Sequence, residues 1–147
     1  MPTNEPTSED NQPREIRILL IDDDNVNAIL AKNVLERHGC IVNVVANPVK
    51  ALEKYAREKD AVDLVLVDYF MPSLDGGEAV QHLRKLNPDI KVILFSGADE
   101  MRLRQIMKRY PIDAFIHKPL RIQEALQTIH QVVPTWPTQS VDSRTRN

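Results

Sequence analysis

Short apolar runs alternate with segments of helical periodicity five times along this 147-residue chain, and this alternation constrains the fold most strongly. The apolar runs are IRILLI (16–21), IVNVVA (41–46), DLVLV (63–67), KVILF (91–95) and AFIH (114–117). Strict strand–helix alternation predicts an α/β fold, a parallel sheet with helices on both faces. The first, third and fourth runs are apolar throughout, as strands buried on both faces must be, whereas the second suits an edge. Five units suit the doubly wound order 2-1-3-4-5, although the alternation alone does not fix that order.

The segments between the apolar runs carry helix signals of their own. Asn47 and Pro48 make an N-cap followed by a proline at the first helical position. Three later helices are predicted over about 77–86, 99–109 and 122–132. The first helix is predicted from apolar residues that recur at helical spacing, namely Val26, Ile29, Leu30, Val34 and Leu35.

Both ends of the chain differ in composition from the middle. Residues 1–14 are mostly Pro, Thr, Ser, Asn and acids with almost nothing to bury, and they are predicted to be a disordered tail. Residues 134–147 are similar and are predicted to be a flexible tail, with Trp136 as their one large apolar side chain. Residues 15–133 are therefore predicted to form one domain of common size.

Charge and cysteine content exclude several classes of protein. The net charge of -2 shows no bias toward nucleic acid or an anionic membrane. No apolar stretch approaches the length of a membrane span, and the N-terminal segment lacks the apolar region of a signal peptide. Cys40 is the only cysteine, which excludes an intrachain disulfide and a cysteine-based zinc cluster. These features predict a cytoplasmic location.

Polar side chains follow four of the five predicted strands. In the order 2-1-3-4-5, these four strands are consecutive neighbours, and ligands of such sheets bind at the carboxyl ends of the strands. The sequence therefore predicts one pocket that combines carboxylates, a hydroxyl and an ammonium group. The residues at the four strand ends are Asp22, Asp23 and Asp24, then Asp68, then Ser96 and Gly97, and finally Lys118 and Pro119.

This set of residue types predicts phosphoryl chemistry assisted by a metal ion. Clustered carboxylates repel each other unless a countercharge is present, and an all-oxygen site with open positions favours Mg²⁺. A carboxylate such as Asp68 can attack phosphorus and hold an aspartyl-phosphate. Mg²⁺ and Lys118 would neutralise the oxygens of the transferred group, and the Ser96 hydroxyl would donate a hydrogen bond. Gly97 would leave the approach open.

Four segments, ILLIDDD, LVLVDYFMPSLDGG, VILFSGA and AFIHKPL, together resemble the receiver domain of two-component response regulators. The resemblance covers residues 15–133 and implies a flavodoxin-like receiver fold. It implies that Asp68 takes a phosphoryl group from a histidine kinase or a histidine phosphotransfer protein. The chain would then not be a dedicated enzyme, because it would only catalyse transfer to its own aspartate and hydrolysis from it.

The resemblance also assigns roles to single residues. It implies that Asp23 is a direct Mg²⁺ ligand, that Asp22 helps largely through water, and that Asp68 and the backbone carbonyl of Phe70 complete the protein ligands. Ser96 and Lys118 stand at the family's Ser/Thr and lysine positions. Phe115, three residues before the lysine, stands at the aromatic switch position. The resemblance further suggests a cis Lys118–Pro119 peptide bond.

The expected partner surface is the face built from the fourth helix, the fifth strand and the fifth helix, residues about 98–132. No output domain of the family's standard kind follows residue 133, so a stand-alone regulator is expected, as a monomer or weak dimer. The basic residues of the fourth helix are interpreted as a solvated face rather than a binding patch.

The chain departs from the family at two positions. Phe70 is a bulky residue two positions after Asp68. Gly77 stands where a larger residue is common, and it is expected to loosen the start of its helix.

Two other functions compete with this interpretation. The segment ILLIDDDNV also fits haloacid-dehalogenase-like phosphatases, with Asp22 as nucleophile and Asp24 as acid, but that family needs an acidic pair after the lysine, and none follows Lys118. A pseudo-receiver adapter that binds without phosphorylation is disfavoured by the complete acidic set. Asp24 alone is better interpreted as a helix N-cap.

Overall fold

The computed structural model describes residues 15–136, in which five strands alternate with five α-helices. The strands and helices are β1 (Ile16–Ile21), α1 (Asn25–Glu36), β2 (Cys40–Val45), α2 (Pro48–Glu58), β3 (Leu64–Val67), α3 (Gly76–Leu86), β4 (Lys91–Ser96), α4 (Glu100–Arg109), β5 (Ala114–His117) and α5 (Ile122–Val132). A short 3-10 turn over Lys59–Ala61 connects α2 to β3. Every predicted strand and helix is present, with bounds that differ by one residue at some ends.

All neighbouring strands of the sheet are parallel, and their order is β2-β1-β3-β4-β5, which confirms the predicted topology. The register pairs Ile21 with Val67, the last residues of β1 and β3. Ser96 at the end of β4 pairs with His117 at the end of β5. The residues that follow these four strands therefore emerge side by side at one edge of the sheet.

Two hydrophobic layers cover the faces of the sheet. One layer is formed by α1 and α5, whose buried residues are Ala28, Ala31, Leu35, Ala125, Leu126 and Ile129. The other is formed by α2, α3 and α4, and it includes Ala51, Tyr55, Ala79, Val80, Leu83, Leu103 and Ile106. Burial of each large aliphatic side chain contributes about 1.5–3 kcal/mol. The sheet is thus held from both sides, as its apolar central strands require.

Side-chain caps fix where the helices begin. Asp24, Asn47 and Asp99 each accept hydrogen bonds from backbone N–H groups of the first turn that follows. Asp75 and Glu78 form a reciprocal capping box at the start of α3. The N-cap interpretation of Asp24 is therefore confirmed.

Two consecutive glycines at the start of α3 lie against closely packed atoms. A Cβ at Gly76 would lie 2.7 Å from the carbonyl oxygen of Asp68, and a Cβ at Gly77 would lie 2.3 Å from the ring of Tyr110. The backbone N–H of Gly76 also donates to the carbonyl of Tyr69 at 2.8 Å. The missing side chain at Gly77 makes room for the Tyr110 ring that packs there, and the expectation that Gly77 loosens this helix stays a prediction.

The exposed side of α1 is unexpectedly apolar. Val26, Ile29 and Leu30 are 70%, 52% and 57% exposed, whereas the small residues Ala28 and Ala31 face the sheet. The apolar spacing correctly predicted a helix, but three of the five residues that carried the prediction face away from the core. They form an apolar row, Val26–Ile29–Leu30, beside the carboxyl edge of the sheet.

The packed chain extends past the predicted domain boundary at residue 133. Trp136 is buried in the layer formed by α1 and α5, and its carbonyl oxygen lies 2.9 Å from Nδ1 of His130. The large apolar side chain explains why residues 134–136 pack instead of starting a flexible tail. The predicted tail over 1–14 and the part of the predicted 134–147 tail from residue 137 onward lie outside the described residues. Among residues 15–136, no helix has both the length and the apolar character to cross a membrane.

Candidate functional site

Three carboxylates meet at the carboxyl edge of the sheet. Asp22 and Asp23 follow β1, and Asp68 follows β3, so the pairing of Ile21 with Val67 places them together. Each offers an oxygen, and these oxygens all lie within 4.8 Å of one another. Asp22 and Asp68 are buried, whereas Asp23 is exposed. The cluster therefore has two interior carboxylates and one on its solvent side.

Lys118 supplies the positive charge of the site. Its Nζ lies 2.9 Å from Oδ2 of Asp22 and 3.6 Å from Oδ2 of Asp68. The backbone N–H of Lys118 donates to the carbonyl of Ser96 at 2.9 Å, and the Lys118–Pro119 peptide bond is cis, as predicted. The side chain thus reaches from the end of β5 to carboxylates that follow β1 and β3.

Burial dominates the electrostatics of Asp68. The pKa of this carboxyl group is raised to about 6, first by burial and then by the negative charge of Asp22, while Lys118 and the N–H of Phe70 oppose the shift. The Phe70 N–H donates to Oδ1 of Asp68 at 3.3 Å. The site therefore disfavours the ionised form of Asp68 when only Lys118 balances the carboxylates.

One oxygen of the cluster is left without a hydrogen bond. Oδ1 of Asp22 accepts from the N–H of Asp24 at 2.9 Å, but the buried Oδ2 has no hydrogen-bond partner among residues 15–136. Lys118 Nζ lies 2.9 Å from this oxygen and forms an ion pair with it. A buried carboxylate oxygen of this kind beside two further carboxylates fits a hard divalent cation such as Mg²⁺.

Ser96 lies at the end of β4 and is fully buried. Its Oγ accepts a hydrogen bond from the N–H of Ala98 at 3.2 Å. A Cβ at Gly97 would have no atom within 4 Å, so the space beside Ser96 is open, as expected.

Two other predicted residues lie outside the cluster. Asp24 caps α1 by accepting hydrogen bonds from the backbone N–H and the side-chain amide of Asn27. These two hydrogen bonds lower the pKa of the Asp24 carboxyl group. Phe115 is half-buried, packs against the layer formed by α2, α3 and α4, and has its ring centroid 5.1 Å from that of His117. In the register of the sheet, Phe115 pairs with Leu94, two residues before Ser96. Its predicted switch role stays a prediction.

A contact that the sequence did not predict lies beside Asp68. The guanidinium carbon of Arg102 stands 5.5 Å from the ring centroid of Phe70, and Tyr69 packs edge-on against the same ring at 5.0 Å. Phe70 follows β3 and Arg102 lies on α4, so no spacing rule relates them. The only signal in the sequence was the unusual bulk of Phe70 next to the acceptor position.

The comparisons with known proteins agree on one family. The family model described as the response regulator receiver domain matches residues 18–130. Response regulator MprA of Mycobacterium leprae is 29% identical over 129 residues, which are 87% of this chain and 56% of that protein. Sensor kinase CckA of Brucella abortus is 31% identical over 119 residues, which are 79% of this chain and 12% of the kinase. The chain thus spans about half of MprA and a small part of CckA.

Solved structures show the same fold. A CheY-like response regulator receiver domain protein from Methanospirillum hungatei is 28% identical with a TM-score of 0.72, covering 82% of this chain and 96% of that one. A receiver domain protein from Clostridium thermocellum matches in fold with a TM-score of 0.74 and 23% identity, covering 81% of this chain and 94% of that one.

Proposed function

This chain belongs to the response regulator receiver domain family, and from that premise we propose that it accepts a phosphoryl group on Asp68 from a histidine kinase or a histidine phosphotransfer protein. The family gives the chain a phosphoacceptor role in two-component signalling. The acceptor residue, the metal ion and the partners are our proposals. The observation that carries the proposal is the buried Asp68 carboxylate, which shares a cluster with Asp22 and Asp23 and lies 3.6 Å from Lys118.

The chemistry requires a nucleophile and a site for the negative charge of the transferred group. An oxygen of Asp68 attacks the phosphorus of the donor's phosphohistidine, an acyl–phosphate bond forms, and the nitrogen–phosphorus bond breaks. The histidine leaves as neutral imidazole when its second ring nitrogen carries the proton. Lys118, positioned by the turn after β5, balances charge on the phosphoryl oxygens.

Mg²⁺ would be held by Asp22, Asp23 and Asp68, with the Phe70 carbonyl as a further ligand. When bound, it supplies the countercharge that lets three neighbouring carboxylates stay ionised and that neutralises the incoming phosphoryl group. The donor set supports this assignment, because the cluster includes the buried Asp22 oxygen that has no hydrogen bond within the described residues.

We further propose that the output surface is built from α4, β5 and α5, residues about 98–132. The hydroxyl of Ser96 would turn toward the phosphoryl group, give up the hydrogen bond that it accepts from the Ala98 N–H, and donate one to a phosphoryl oxygen. This shift of the β4–α4 loop would change the packing of Phe115 on the neighbouring strand. A bistable packing element of this kind is what a local charge can bias.

The phosphatase alternative is not supported. Its proposed acid, Asp24, caps α1 instead, and the described acidic residue beyond Lys118, Glu124, lies 3.5 Å from His117. The family match also places the chain among signalling domains rather than dedicated enzymes. The pseudo-receiver alternative is tested by the experiment below, because such an adapter would not be phosphorylated.

Acetyl phosphate with Mg²⁺ tests the acceptor assignment directly. Wild type is expected to gain the mass of one phosphoryl group, and Asp68→Asn is expected to gain none. Asp89→Asn is a matched control, because Asp89 is an exposed carboxylate away from the cluster. Equal labelling of wild type and Asp68→Asn would refute Asp68 as the acceptor, and an unlabelled wild type would favour the adapter.

A further inference from the structure

Strand β2 is an edge of the sheet, and one side of its backbone has no neighbouring strand within the described part of the chain. The hydrogen bonds at its two ends show which groups face β1. The carbonyl of Gly39 accepts from the N–H of Ile16, and the carbonyl of Val45 accepts from the N–H of Asp22. Because the direction of the backbone groups alternates along a strand, the N–H and C=O groups of Val42, near the middle of β2, point away from β1.

Two side chains of α1 satisfy both of these outward groups. Oε2 of Glu36 accepts from the Val42 N–H at 3.1 Å, and Nζ of Lys32 donates to the Val42 carbonyl at 2.8 Å. Lys32 also donates to the same Glu36 oxygen at 2.8 Å, which closes a ring of three hydrogen bonds. We call this ring of Lys32, Glu36 and the Val42 backbone the edge clasp. The hydrogen bonds from Lys32 and from the Val42 N–H lower the pKa of the Glu36 carboxyl group, so this group stays an ionised acceptor at neutral pH.

The edge clasp differs from an ordinary ion pair on a helix surface. Lysine–glutamate pairs four residues apart are common on helices, where each contributes little to stability. Lys54 and Glu58 on α2 are such a pair, with their charged atoms 3.1 Å apart. The clasp has the same spacing, but it reaches beyond its own helix and binds the backbone of a neighbouring strand.

The sequence of β2 makes an unprotected edge prone to pairing. An edge strand with open backbone groups is a template for another strand, and CIVNVV is rich in β-branched residues and carries neither a charge nor a proline that would oppose pairing. A second copy of this chain fits the edge, because a two-fold axis at Val42 would place β2 antiparallel to itself. The two copies of Val42 would then face each other and exchange both N–H···O bonds. These are the groups that the clasp occupies.

We propose that Lys32 and Glu36 close the edge of β2 against a second copy of this chain and so keep the domain from associating edge to edge. Association through β2 would hold two copies together whether or not Asp68 carries a phosphoryl group. The opposite edge of the sheet, β5, belongs to the proposed output surface, so the clasp restricts strand pairing to the edge away from which it lies.

The test is sedimentation equilibrium of the full chain at increasing concentration. Lys32→Ala/Glu36→Ala removes the clasp without changing the net charge. It is expected to raise the self-association constant about tenfold or more, because the released backbone groups gain hydrogen bonds from the second copy. Lys54→Ala/Glu58→Ala is the matched control, with the same spacing and the same loss of charges, and it should sediment as wild type does. Glu36→Gln should also match wild type, because its amide oxygen still accepts from the Val42 N–H.

Disulfide formation locates the contact. In the pairing centred on Val42, position 41 of one copy faces position 43 of the other, and both side chains are exposed. A mixture of clasp-free chains with Ile41→Cys and clasp-free chains with Asn43→Cys should therefore cross-link faster than either chain alone. The native Cys40 is buried and is present in all of these chains, so it does not account for a difference.

The outcomes separate this inference from loss of structure and from the proposed function. The thermal midpoint and labelling by acetyl phosphate should stay close to wild type in the clasp-free variant, and Lys32→Ala alone, which releases only the carbonyl of Val42, should give an intermediate association constant. An unlabelled wild type overturns the proposed function and leaves this inference standing. A clasp-free variant that sediments as wild type does overturns the inference. So does equal association of both double variants, since lost surface charge would explain it, and so does association without preferred cross-linking between positions 41 and 43.

Discussion

Asp68 is a residue whose burial opposes its own charge. Its pKa is raised to about 6 by burial from an ordinary value of 3.8, so the folded state binds the proton more tightly than the unfolded chain. The free energy of unfolding therefore falls as the pH rises from about 3.8 to about 6. The full cost of ionising the buried Asp68 carboxyl group is present above pH 6. In the proposed function, Asp68 must carry this unfavourable charge in order to attack phosphorus.

Replacing Asp68 by Asn should consequently stabilise the metal-free protein at pH 8, by roughly 1–3 kcal/mol for a shift of about two pKa units. The gain should shrink at pH 5, where the native carboxyl group is largely protonated. Urea unfolding in EDTA at both pH values measures the difference, with Asp89→Asn as the control. A gain of the same size at pH 5 and pH 8 would contradict the assignment of the effect to this carboxyl group.

Asp23 is the exposed member of the carboxylate cluster, and it can be removed without opening the core. Mg²⁺ should raise the unfolding free energy of wild type, because a ligand that binds only the folded state stabilises it. In Asp23→Asn, this Mg²⁺-dependent gain should fall sharply, while stability in EDTA stays equal or rises slightly since one repelling charge is gone.

The measurement is the urea midpoint at increasing MgCl2 concentrations. Asp24→Asn is the matched control, because asparagine also caps helices and Asp24 is engaged with Asn27 rather than with the cluster. If Asp23→Asn responds to Mg²⁺ as wild type does, Asp23 is not a ligand.

At the scale of single elements, α1 is unusual because its exposed side is apolar. Its row Val26–Ile29–Leu30 starts three residues after Asp23, at the same edge of the sheet as the acceptor. A donor that brings a phosphohistidine to Asp68 must approach this edge. We therefore expect the row to contact the protein donor.

Ile29→Ser should slow transfer from the cognate histidine kinase by roughly fivefold or more, the effect expected at a central apolar contact of an interface. Labelling by acetyl phosphate should stay at the wild-type rate, because the small donor needs no docking surface. Ile41→Ser is the control, since Ile41 is also exposed and apolar but lies on β2, paired with Arg17 at the start of β1. Equal slowing by both variants, or slowing of the small donor too, would rule out docking through α1.

The elements also show what sequence patterns can and cannot predict. Strand and helix positions followed from periodicity and from caps such as Asp24 and Asn47, because these signals are local. The buried side of α1 did not follow, because Ala28 and Ala31 pack closest to the sheet while larger residues point outward. Likewise, the contact of Arg102 with Phe70 depends on the placement of α4 over β3 and β4, which no local pattern encodes.

For the whole molecule, the sheet order decided the candidate site. Once β1, β3, β4 and β5 are adjacent, the residues that follow them share one edge, and this is why the cluster of Asp22, Asp23, Asp68 and Lys118 was predictable. The electrostatic state of the cluster was not predictable, because the raised pKa of Asp68 depends on burial by atoms from several elements.

The helices are anchored to this sheet unequally, and the difference predicts where a signal travels. Helix α3 buries three apolar side chains, Ala79, Val80 and Leu83, and packs two glycines closely, whereas α4 buries two apolar side chains, Leu103 and Ile106. Elements with few buried apolar side chains lie at the low-stability end of a fold and move first. Helix α4 also follows the loop that comes after Ser96, so in the proposed function phosphorylation of Asp68 would act next to this weakly anchored helix.

Beryllofluoride with Mg²⁺, a mimic of the phosphoryl group, should therefore change amide chemical shifts in α4 and β5, over residues 100–117, as well as around Asp22, Asp68 and Ser96. The shift in equilibrium should amount to a few kcal/mol at most, as is usual for coupling between two sites. Asp68→Asn should show none of these changes, and Ser96→Ala should keep those around Asp68 while losing most of those at Phe115, because the hydroxyl that links the two is gone. Changes confined to the loops around Asp22, Asp68 and Ser96 in wild type would refute α4 and β5 as the output surface.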